Sequence, residues 1–274
     1  MDKDQDKNNT ESQFGLFSDI QDKAIYELPL NERIRNFLRL EFLFQLVSYS
    51  ISKPEEWDNR QCVSNLIDIS ELLNRTDIKA ELYKELDKHI SLLQTLKKNP
   101  QVDGEVLNEM LNRLQDSHNQ LTNPAYHPGQ NINEDELISS IKQRSSIAGG
   151  ACNFDLPSYH HWLSKNSSER KFQLNQWFDD LKYMKNAINL VLKILRSGSE
   201  ATKETAPEGF FQYSLDQNKP IQLIRILLPV GNSSFPEISG GKHRFSVRFL
   251  EQNSTRERPI QIGHNIDFEL QCCN

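Results

Sequence analysis

The residue types best suited to chemistry lie in one short segment, GGACNFDLPSYHHWL, from Gly149 to Leu163. It holds one cysteine, one aspartate and two histidines, namely Cys152, Asp155, His160 and His161. In a thiol hydrolase, a histidine base would activate the cysteine and a third group would orient that base. The same residue types also bind metal ions. The segment is therefore a candidate reaction centre, a candidate metal site, or a structural corner of the fold.

A structural role explains more positions of this segment. A nucleophile and its base normally come from distant parts of a chain, not from one short stretch. Gly149 and Gly150 permit a turn, and Pro157 suits the first turn of a helix. Asp155 would then meet the free amides at that helix start, and Cys152 would be a small buried residue. Of the two adjacent histidines, we expect one to face outward and the other to pack.

Neither a structural zinc site nor a phosphate loop is predicted. The chain has no CxxC pair and no HxxxH pair, although it contains four cysteines, Cys62, Cys152, Cys272 and Cys273. The stretch SGGKHRF departs from the Walker pattern twice, because Pro236 replaces the first glycine and His243 replaces the hydroxyl residue. We interpret it as a hairpin turn, and we expect no cofactor and no metal.

The charge balance excludes a general binder of polyanions. The 274 residues include 32 Lys and Arg against 38 Asp and Glu, a formal net charge of -6. Nucleic acids require a concentrated cationic surface, so no nucleic-acid partner is expected and any basic site must be local. Residues 1–24 are polar and acidic, which predicts a disordered tail. The sequence has no secretory signal and no apolar run long enough for a membrane span, so we expect a cytoplasmic protein without a membrane partner.

Apolar residues recur at helical spacing over residues 25–200, which predicts an α-helical domain of about six or seven helices. The first helix would begin after Asn31, and a second would occupy residues 61–74. In the first helix, the side chains expected to face the core are those of Ile34, Phe37, Leu38, Phe42 and Leu46.

The next two helices are expected to form an antiparallel hairpin, with Thr76 capping one and Asp103 preceding the other. Asn133 and Glu136 resemble a capping box for a helix that ends near Ser146. A last long helix would open at Ser167 or Ser168 and end at the SGS stretch of residues 197–199.

Beyond about residue 205 the apolar period changes to that of β-strands. Short segments rich in aromatic and β-branched residues, such as GFFQYSL and IQLIRILLPV, are separated by turn residues. In RFSVRFLE, Phe245, Val247 and Phe249 alternate with Arg244, Ser246 and Arg248, so two arginines share one sheet face. We therefore predict an α+β chain, with a small antiparallel sheet domain at residues 205–274 packed on the helical domain.

Several blocks of the sequence resemble the ZapD family of bacterial cell-division proteins. They are LPLNERIRNFLRLEFL, SELLNRTDIKAELYKELDKHISLLQTL, QRSSIAGGACNFDLPSYHHWL, FPEISGGKHRFSVRF and FELQCC. They occur in the family's order and at its intervals, and together they cover nearly all of residues 25–273. Several distinctive blocks in register are stronger evidence than any lone motif.

The resemblance implies a helical domain joined to a sheet domain, assembled as a symmetric homodimer without catalytic activity. Members of this family bind the C-terminal tail of the tubulin-like GTPase FtsZ and bundle its filaments, which strengthens the division ring at midcell. The segment Gly149–Leu163 would then be a family signature of fold and of binding surface.

The resemblance also implies that basic residues in a groove between the domains bind the partner. The best matches to the family's blocks are Arg39, Arg75, His160 and Arg244, and the second choices are Arg35, Arg144, Arg225 and Arg248. One departure is Glu136, which stands where we expect an arginine in the family.

Two other interpretations remain open from the residues themselves. The alternative from another functional class is a cysteine-dependent hydrolase centred on Cys152, and a nucleic-acid adaptor is a weaker third. Each arginine could also be an ordinary surface charge without a partner-binding role.

Overall fold

The computed structural model of the protein describes residues 22–97, 103–216, 220–241 and 243–274. These residues form two compact units. The helical unit runs from Glu32 to Ile194, and the sheet unit combines the residues before Glu32 with Leu195–Asn274. Helices in one unit and antiparallel sheets in the other confirm the predicted α+β class. Of the tail of 24 residues that was expected to be disordered, residues 1–21 lie outside the described ranges, whereas Lys23 and Ala24 belong to a strand, which corrects the end of the predicted tail.

Nine α-helices occur among the described residues. They are α1 Glu32–Ile51, α2 Glu56–Arg75, α3 Ile78–Leu96, α4 Gly104–Thr122, α5 Gln130–Asn133, α6 Glu136–Arg144, α7 Pro157–Leu163, α8 Ser167–Asp179 and α9 Lys182–Ser197. The number exceeds the expected six or seven because α5 is a single turn and because the expected last helix is divided into α8 and α9. The division falls at Asp180, whose carboxylate accepts a hydrogen bond from the Asn131 backbone N–H at 2.8 Å.

The buried face of helix α1 begins with Ile34 and Phe37, as predicted, but continues along other residues than those predicted. Its fully buried apolar side chains are Ile34, Phe37, Leu40, Phe44 and Val47. Leu38 and Leu46 are only half-buried, and Phe42 is 59 % exposed. Apolar residues surround α1 on most sides, so the spacing alone is compatible with two overlapping stripes. Packing against α2 and α8 selects one of them.

Two helix caps differ from the prediction by one or two positions. Asp77, not Thr76, caps α3, since its carboxylate accepts from the Ala80 N–H at 3.0 Å. Asp135, not Asn133, caps α6 by accepting from the Ile138 N–H at 3.0 Å. In both places the chain offers two neighbouring side chains of capping type, and the structure uses the later one. The predicted pairing of α3 with α4 is confirmed by their packing.

A buried arginine joins separate segments of the helical unit. Arg170 of α8 is 8 % exposed, and its guanidinium donates to Asn59 Oδ1 at 2.6 Å. It also donates to the backbone oxygens of Pro54 at 2.6 Å and Leu163 at 2.8 Å, and to that of Lys165. These carbonyls lie just before α2 and at the end of α7. One side chain thus provides hydrogen bonds to the backbone of two connecting segments.

Eight strands make up the two sheets of the sheet unit. They are β1 Lys23–Pro29, β2 Thr202–Ala206, β3 Phe210–Ser214, β4 Leu223–Pro229, β5 Ser234–Gly240, β6 Arg244–Glu251, β7 Ile260–Gln261 and β8 Ile266–Cys273. One sheet has the order β1-β4-β8-β2 and the other the order β3-β6-β5, with β7 paired to the far end of β6. All pairings are antiparallel.

Strand β1 was not predicted, and it moves the first residues of the expected helical domain into the sheet unit. The segment KAIYELP pairs with β4 along its whole length, from Lys23 opposite Pro229 to Pro29 opposite Leu223. Seven residues after a polar tail give too short a pattern to identify a strand. The segment is a strand because it pairs with β4, which lies some 200 residues later in the chain.

The inner faces of the two sheets form one apolar core. It includes Ile224 and Ile226 of β4, Phe268 and Leu270 of β8, and the predicted inward stripe of β6, namely Phe245, Val247 and Phe249. Phe249 and Phe268 bring their ring centroids to 5.1 Å. The alternation predicted for β6 is confirmed, which leaves Arg244 and Arg248 exposed on the outer face.

An ionic cluster connects four elements of the sheet unit. Glu27 of β1 accepts hydrogen bonds from Arg196 of α9 and from Arg225 of β4, each at 2.9 Å. Arg225 also donates to Gln271 of β8, and Gln271 donates to the backbone oxygens of Arg196 and Ser199. Each charged side chain of the cluster thus has a partner of opposite charge, and Gln271 adds further hydrogen bonds.

We predict that Arg170→Met lowers the free energy of unfolding of the helical unit by at least about 3 kcal/mol, because it leaves several buried acceptors without donors. Chemical denaturation followed by circular dichroism would measure this change. Lys171→Met, at the exposed neighbouring position of α8, is the matched control and should change stability by less than about 0.5 kcal/mol. Equal effects of the two substitutions would contradict the structural role of Arg170.

Candidate partner-binding site

Arg244 lies in a cleft on the outer face of β6. The cleft has a volume of about 410 Å³ and is lined mainly by Gln212, Ser239, Gly240, Gly241, His243, Arg244 and Ser246. These residues supply amide, hydroxyl and imidazole groups but no carboxylate. In the described part of the chain, Arg244 has no acidic partner. The cleft is therefore suited to an anionic group from another molecule.

Arg248 shares this face but is already paired. Its guanidinium donates to the Glu237 carboxylate on the neighbouring strand β5. Arg248 and Glu237 are directly opposite each other in the sheet register, so the pair is a cross-strand ion pair. One of the two arginines predicted for this face is thus neutralised, whereas the other is available.

Arg225 is the least accessible of the predicted site residues. It is 8 % exposed, and its guanidinium is occupied by Glu27 and Gln271. Its position in the central region of the sheet gives it a role in holding the strands together.

A second cleft, of about 320 Å³, brings Arg39 of α1 and Arg75 of α2 together. Arg39 is exposed and has no acidic partner among the described residues. Arg75 pairs with Glu71 at 3.1 Å, and Asp68 also lines the cleft. Burial, followed by the nearby charge of Glu71, raises the pKa of Asp68 above its usual value. This cleft therefore has mixed charge, unlike the one around Arg244.

The α1–α2 cleft contains an apolar residue that the sequence analysis placed in the core. Phe42 lines this cleft and is largely exposed. It follows Arg39 by three positions, a spacing that places both side chains on one face of α1. Apolar residues on several sides of α1 were the sequence feature that could have indicated an exposed apolar residue such as Phe42. Arg35, one turn before Arg39, pairs with Glu32.

The cysteine of the Gly149–Leu163 segment has a carboxylate neighbour. Cys152 is half-buried, not buried as predicted, and its Sγ donates to Asp155 Oδ2 at 3.3 Å. Asp155 Oδ1 accepts from Arg144 at 3.3 Å. The start of α7 has no side-chain cap, so the expected capping role of Asp155 is wrong. Asp155 instead links the loop to the end of α6.

Both histidines of this segment face outward, which corrects the expectation that one would pack. His160 and His161 are exposed, whereas Tyr159, Trp162 and Leu163 are buried. Positions 159, 162 and 163 have the i, i+3, i+4 spacing of one helix face, so the two positions between them point away. Trp162 packs on Trp177 of α8 with ring centroids 5.5 Å apart. The side chain of His160 is thus accessible from outside the helical unit.

The thiols differ in their surroundings, and none lies in a metal-binding cluster. Burial raises the pKa of Cys62 and Cys273 to about 12 and that of Cys272 to about 11. These three side chains therefore remain protonated thiols at neutral pH. Within residues 22–97, 103–216, 220–241 and 243–274, no group of three or more His, Cys, Asp or Glu residues could hold a metal ion.

The eight predicted site residues are divided between the two units. Arg35, Arg39, Arg75, Arg144 and His160 belong to the helical unit, and Arg225, Arg244 and Arg248 belong to the sheet unit. Glu136, the noted departure, is exposed in the first turn of α6. A negative charge is favourable there because it faces the positive end of the helix dipole.

Comparisons with known proteins place the chain among cell division proteins. The sequence model of the ZapD family, described as a cell division protein, matches residues 38–248. The Cell division protein ZapD of Methylococcus capsulatus is 39 % identical over 254 residues, which are 93 % of this chain and 99 % of the relative. The protein of the same name from Klebsiella pneumoniae is 36 % identical over 250 residues, which are 91 % of this chain and 98 % of the relative.

The Cronobacter sakazakii protein of the same name is 34 % identical over 254 residues, which cover 93 % of this chain and the whole relative. The chain therefore belongs to the ZapD family, and this membership supports a role in cell division. None of the helices in the described part of the chain combines the length and the apolar character needed to cross a bilayer.

We predict that Cys152→Ser leaves stability within about 0.5 kcal/mol of the parent, because the serine hydroxyl also donates to Asp155. Cys152→Ala removes the donor and should cost about 1 kcal/mol. Urea denaturation of the two variants would measure the difference. Equal losses would show that sulfur packing, not donation to Asp155, matters at this position. A hydrolase centred on Cys152 would lose turnover with the alanine variant.

Proposed function

We propose that this protein is a non-enzymatic cell-division factor that binds the C-terminal tail of FtsZ. As a homodimer it cross-links and bundles FtsZ filaments and so stabilises the division ring. It acts in the cytoplasm at midcell, with no cofactor, nucleic acid or membrane as a partner. Membership in the ZapD family and the available arginines support this proposal.

The observation that carries the proposal is the cleft around Arg244. Arg244 has no acidic partner in the part of the chain that the structure describes and is surrounded by neutral donors, so it attracts a carboxylate from another molecule. The whole chain has a net charge of -6, so long-range attraction to an acidic partner is not expected. Recognition therefore depends on local contacts.

The α1–α2 cleft adds a second type of contact. Arg39 can bind a carboxylate or a backbone carbonyl, while the exposed ring of Phe42 accepts an apolar side chain. A flexible tail loses conformational freedom when it binds, so one tail on one chain should bind only in the micromolar range.

We rank the predicted contact residues by their availability. Arg39, His160 and Arg244 form the proposed site together with Arg75, which pairs with Glu71 but is the most exposed of the paired candidates, at 74 % of its side chain. Arg35, Arg144 and Arg248 are second choices because each is paired with an acid. Arg225 acts by holding together β1, β4 and β8, whose sheet shares its apolar core with the sheet that displays Arg244.

Dimerisation converts weak contacts into filament bundling. A symmetric dimer carries two copies of each binding site, and a filament displays many tails. Once one site has bound, the second site experiences a high effective concentration of tails on a neighbouring filament. In this mechanism the tails, the second protomer and the free arginines are all required.

We predict that Arg244→Glu abolishes measurable binding of a peptide corresponding to the FtsZ C-terminal tail. Arg256→Glu changes the net charge by the same amount at an exposed position after β6 and is the matched control. It should weaken binding less than threefold, because Arg256 lies outside the cleft. Fluorescence anisotropy would measure both affinities, and circular dichroism would verify the folds. Normal binding by folded Arg244→Glu would remove that residue from the site.

We also predict that bundling of FtsZ filaments decreases as salt is raised, since contacts between arginines and acids at a surface are screened. Pelleting assays over a salt series would measure this, with tail-truncated FtsZ as the control that should not bundle. Sedimentation equilibrium at each salt concentration should give twice the 31.8 kDa mass of one chain. Undiminished bundling at high salt, or a strictly monomeric protein, would contradict the mechanism.

A further inference from the structure

The edge strands of the two sheets differ in their protection against pairing with other chains. Proteins usually place charges or proline in exposed edge strands, because an open edge pairs readily with another strand. The edges β1, β2 and β5 all follow this rule: KAIYELP and SFPEISG contain both charges and proline, and TKETA contains charges. Strand β3, with the sequence FFQYS, contains neither.

The register of β3 shows which of its backbone groups face outward. The Leu215 N–H donates to His243 O at 2.8 Å, next to the pairing of Ser214 with Arg244. Hydrogen-bonded pairs alternate along an antiparallel ladder, so Tyr213 and Phe211 bond to β6. The backbone N–H and C=O groups of Gln212 and Ser214 therefore point away from β6. Within the described part of the chain, no strand pairs with this side of β3.

The open edge borders the Arg244 cleft. Ser214 is opposite Arg244, and Gln212 is opposite Ser246, so these side chains share the outer face of the sheet. Ser214 is short, and an arginine side chain is longer than the spacing of about 4.8 Å between strands. Arg244 can therefore reach over Ser214 to a residue on an added strand.

Two aromatic residues provide apolar contacts on the two faces of this edge. Phe210 lies on the outer face and Tyr213 on the opposite face, and each is 42 % exposed. An extended peptide along β3 would place alternate side chains on these two faces. It would thus meet Arg244 and Phe210 with one set of side chains and Tyr213 with the other.

We propose that an acidic segment of the FtsZ tail binds by β-strand addition to the free edge of β3, with one of its carboxylates at Arg244. This inference rests on the proposed function and specifies how the tail is held. The backbone groups of Gln212 and Ser214 supply the hydrogen bonds of the new ladder, and Arg244 selects acidic side chains. The occupant is an extended acidic peptide because, among the described residues, the cleft beside the edge contains an arginine without an acidic partner and no carboxylate.

The first test changes the edge without changing the pairing to β6. Gln212→Pro removes the outward N–H, and proline is tolerated on the open side of an edge strand. We expect it to weaken binding of the tail peptide at least tenfold. Gln212→Ala also removes the side chain from the cleft but keeps the N–H, so it should weaken binding at least threefold less than Gln212→Pro does. Equal affinities of the two variants, with both folded, would overturn strand addition.

The second test leaves the protein unchanged and alters the peptide. Single N-methyl groups introduced along the tail peptide block individual N–H donors. Strand addition predicts that affinity falls at alternate positions only, because every second N–H of an added strand faces β3. Losses without this period of two would overturn the inference.

These outcomes are distinguishable from failure of the proposed function. If the unmodified peptide does not bind the parent protein, the proposed function itself fails. If the peptide binds but neither Gln212→Pro nor N-methylation affects it, only strand addition fails. If Gln212→Pro leaves peptide affinity intact but dissociates the dimer in sedimentation experiments, the edge belongs to a second copy of this chain and the inference is overturned.

Discussion

The sheet unit depends on one carboxylate. Glu27, in the first strand, accepts hydrogen bonds from both Arg196 and Arg225, and Gln271 completes the cluster from the last strand. Removing a charge from water is costly unless it is paired and hydrogen-bonded, so none of the members is stable there alone. The cluster therefore specifies which strands are neighbours, whereas the apolar core beside it would tolerate several arrangements.

The same requirement explains which arginines are left for a partner. Arg33 pairs with the buried Glu85, Arg60 pairs with Glu56, and Arg170 donates to backbone carbonyls of its own unit. These three arginines are thus unavailable for binding a partner. The sequence alone does not distinguish them from arginines that are available. Among the seven predicted site arginines, Arg39 and Arg244 are the two that no acid in the described residues neutralises. Whether an arginine is available to a partner depends on its neighbours in the folded chain. This criterion reduces the number of candidate contact residues.

The sequence predicted those features that depend on local pattern. The α+β class and the alternation along β6 follow from periods of 3.6 and 2 residues, and the helical surroundings of Pro157 follow from its fixed backbone angle. The buried stripe of α1 could not be chosen from its spacing, because packing of other helices decides between Leu40 and Phe42. Strand β1 was missed since its partner lies far along the chain. The outward position of both His160 and His161 follows from helix geometry once the buried Tyr159 and Trp162 are known.

The sheet unit is built from both ends of the described chain, and this has a consequence for biosynthesis. Lys23 of β1 forms an ion pair with Glu269 of β8, 246 positions later. Glu32–Ile194 is contiguous, so its core can form while the ribosome is still adding residues. Strand β1 must wait until β4 and β8 have emerged from the exit tunnel. We expect the nascent chain to hold β1 unpaired for most of its translation, a period in which chaperones that recognise extended segments have access to it.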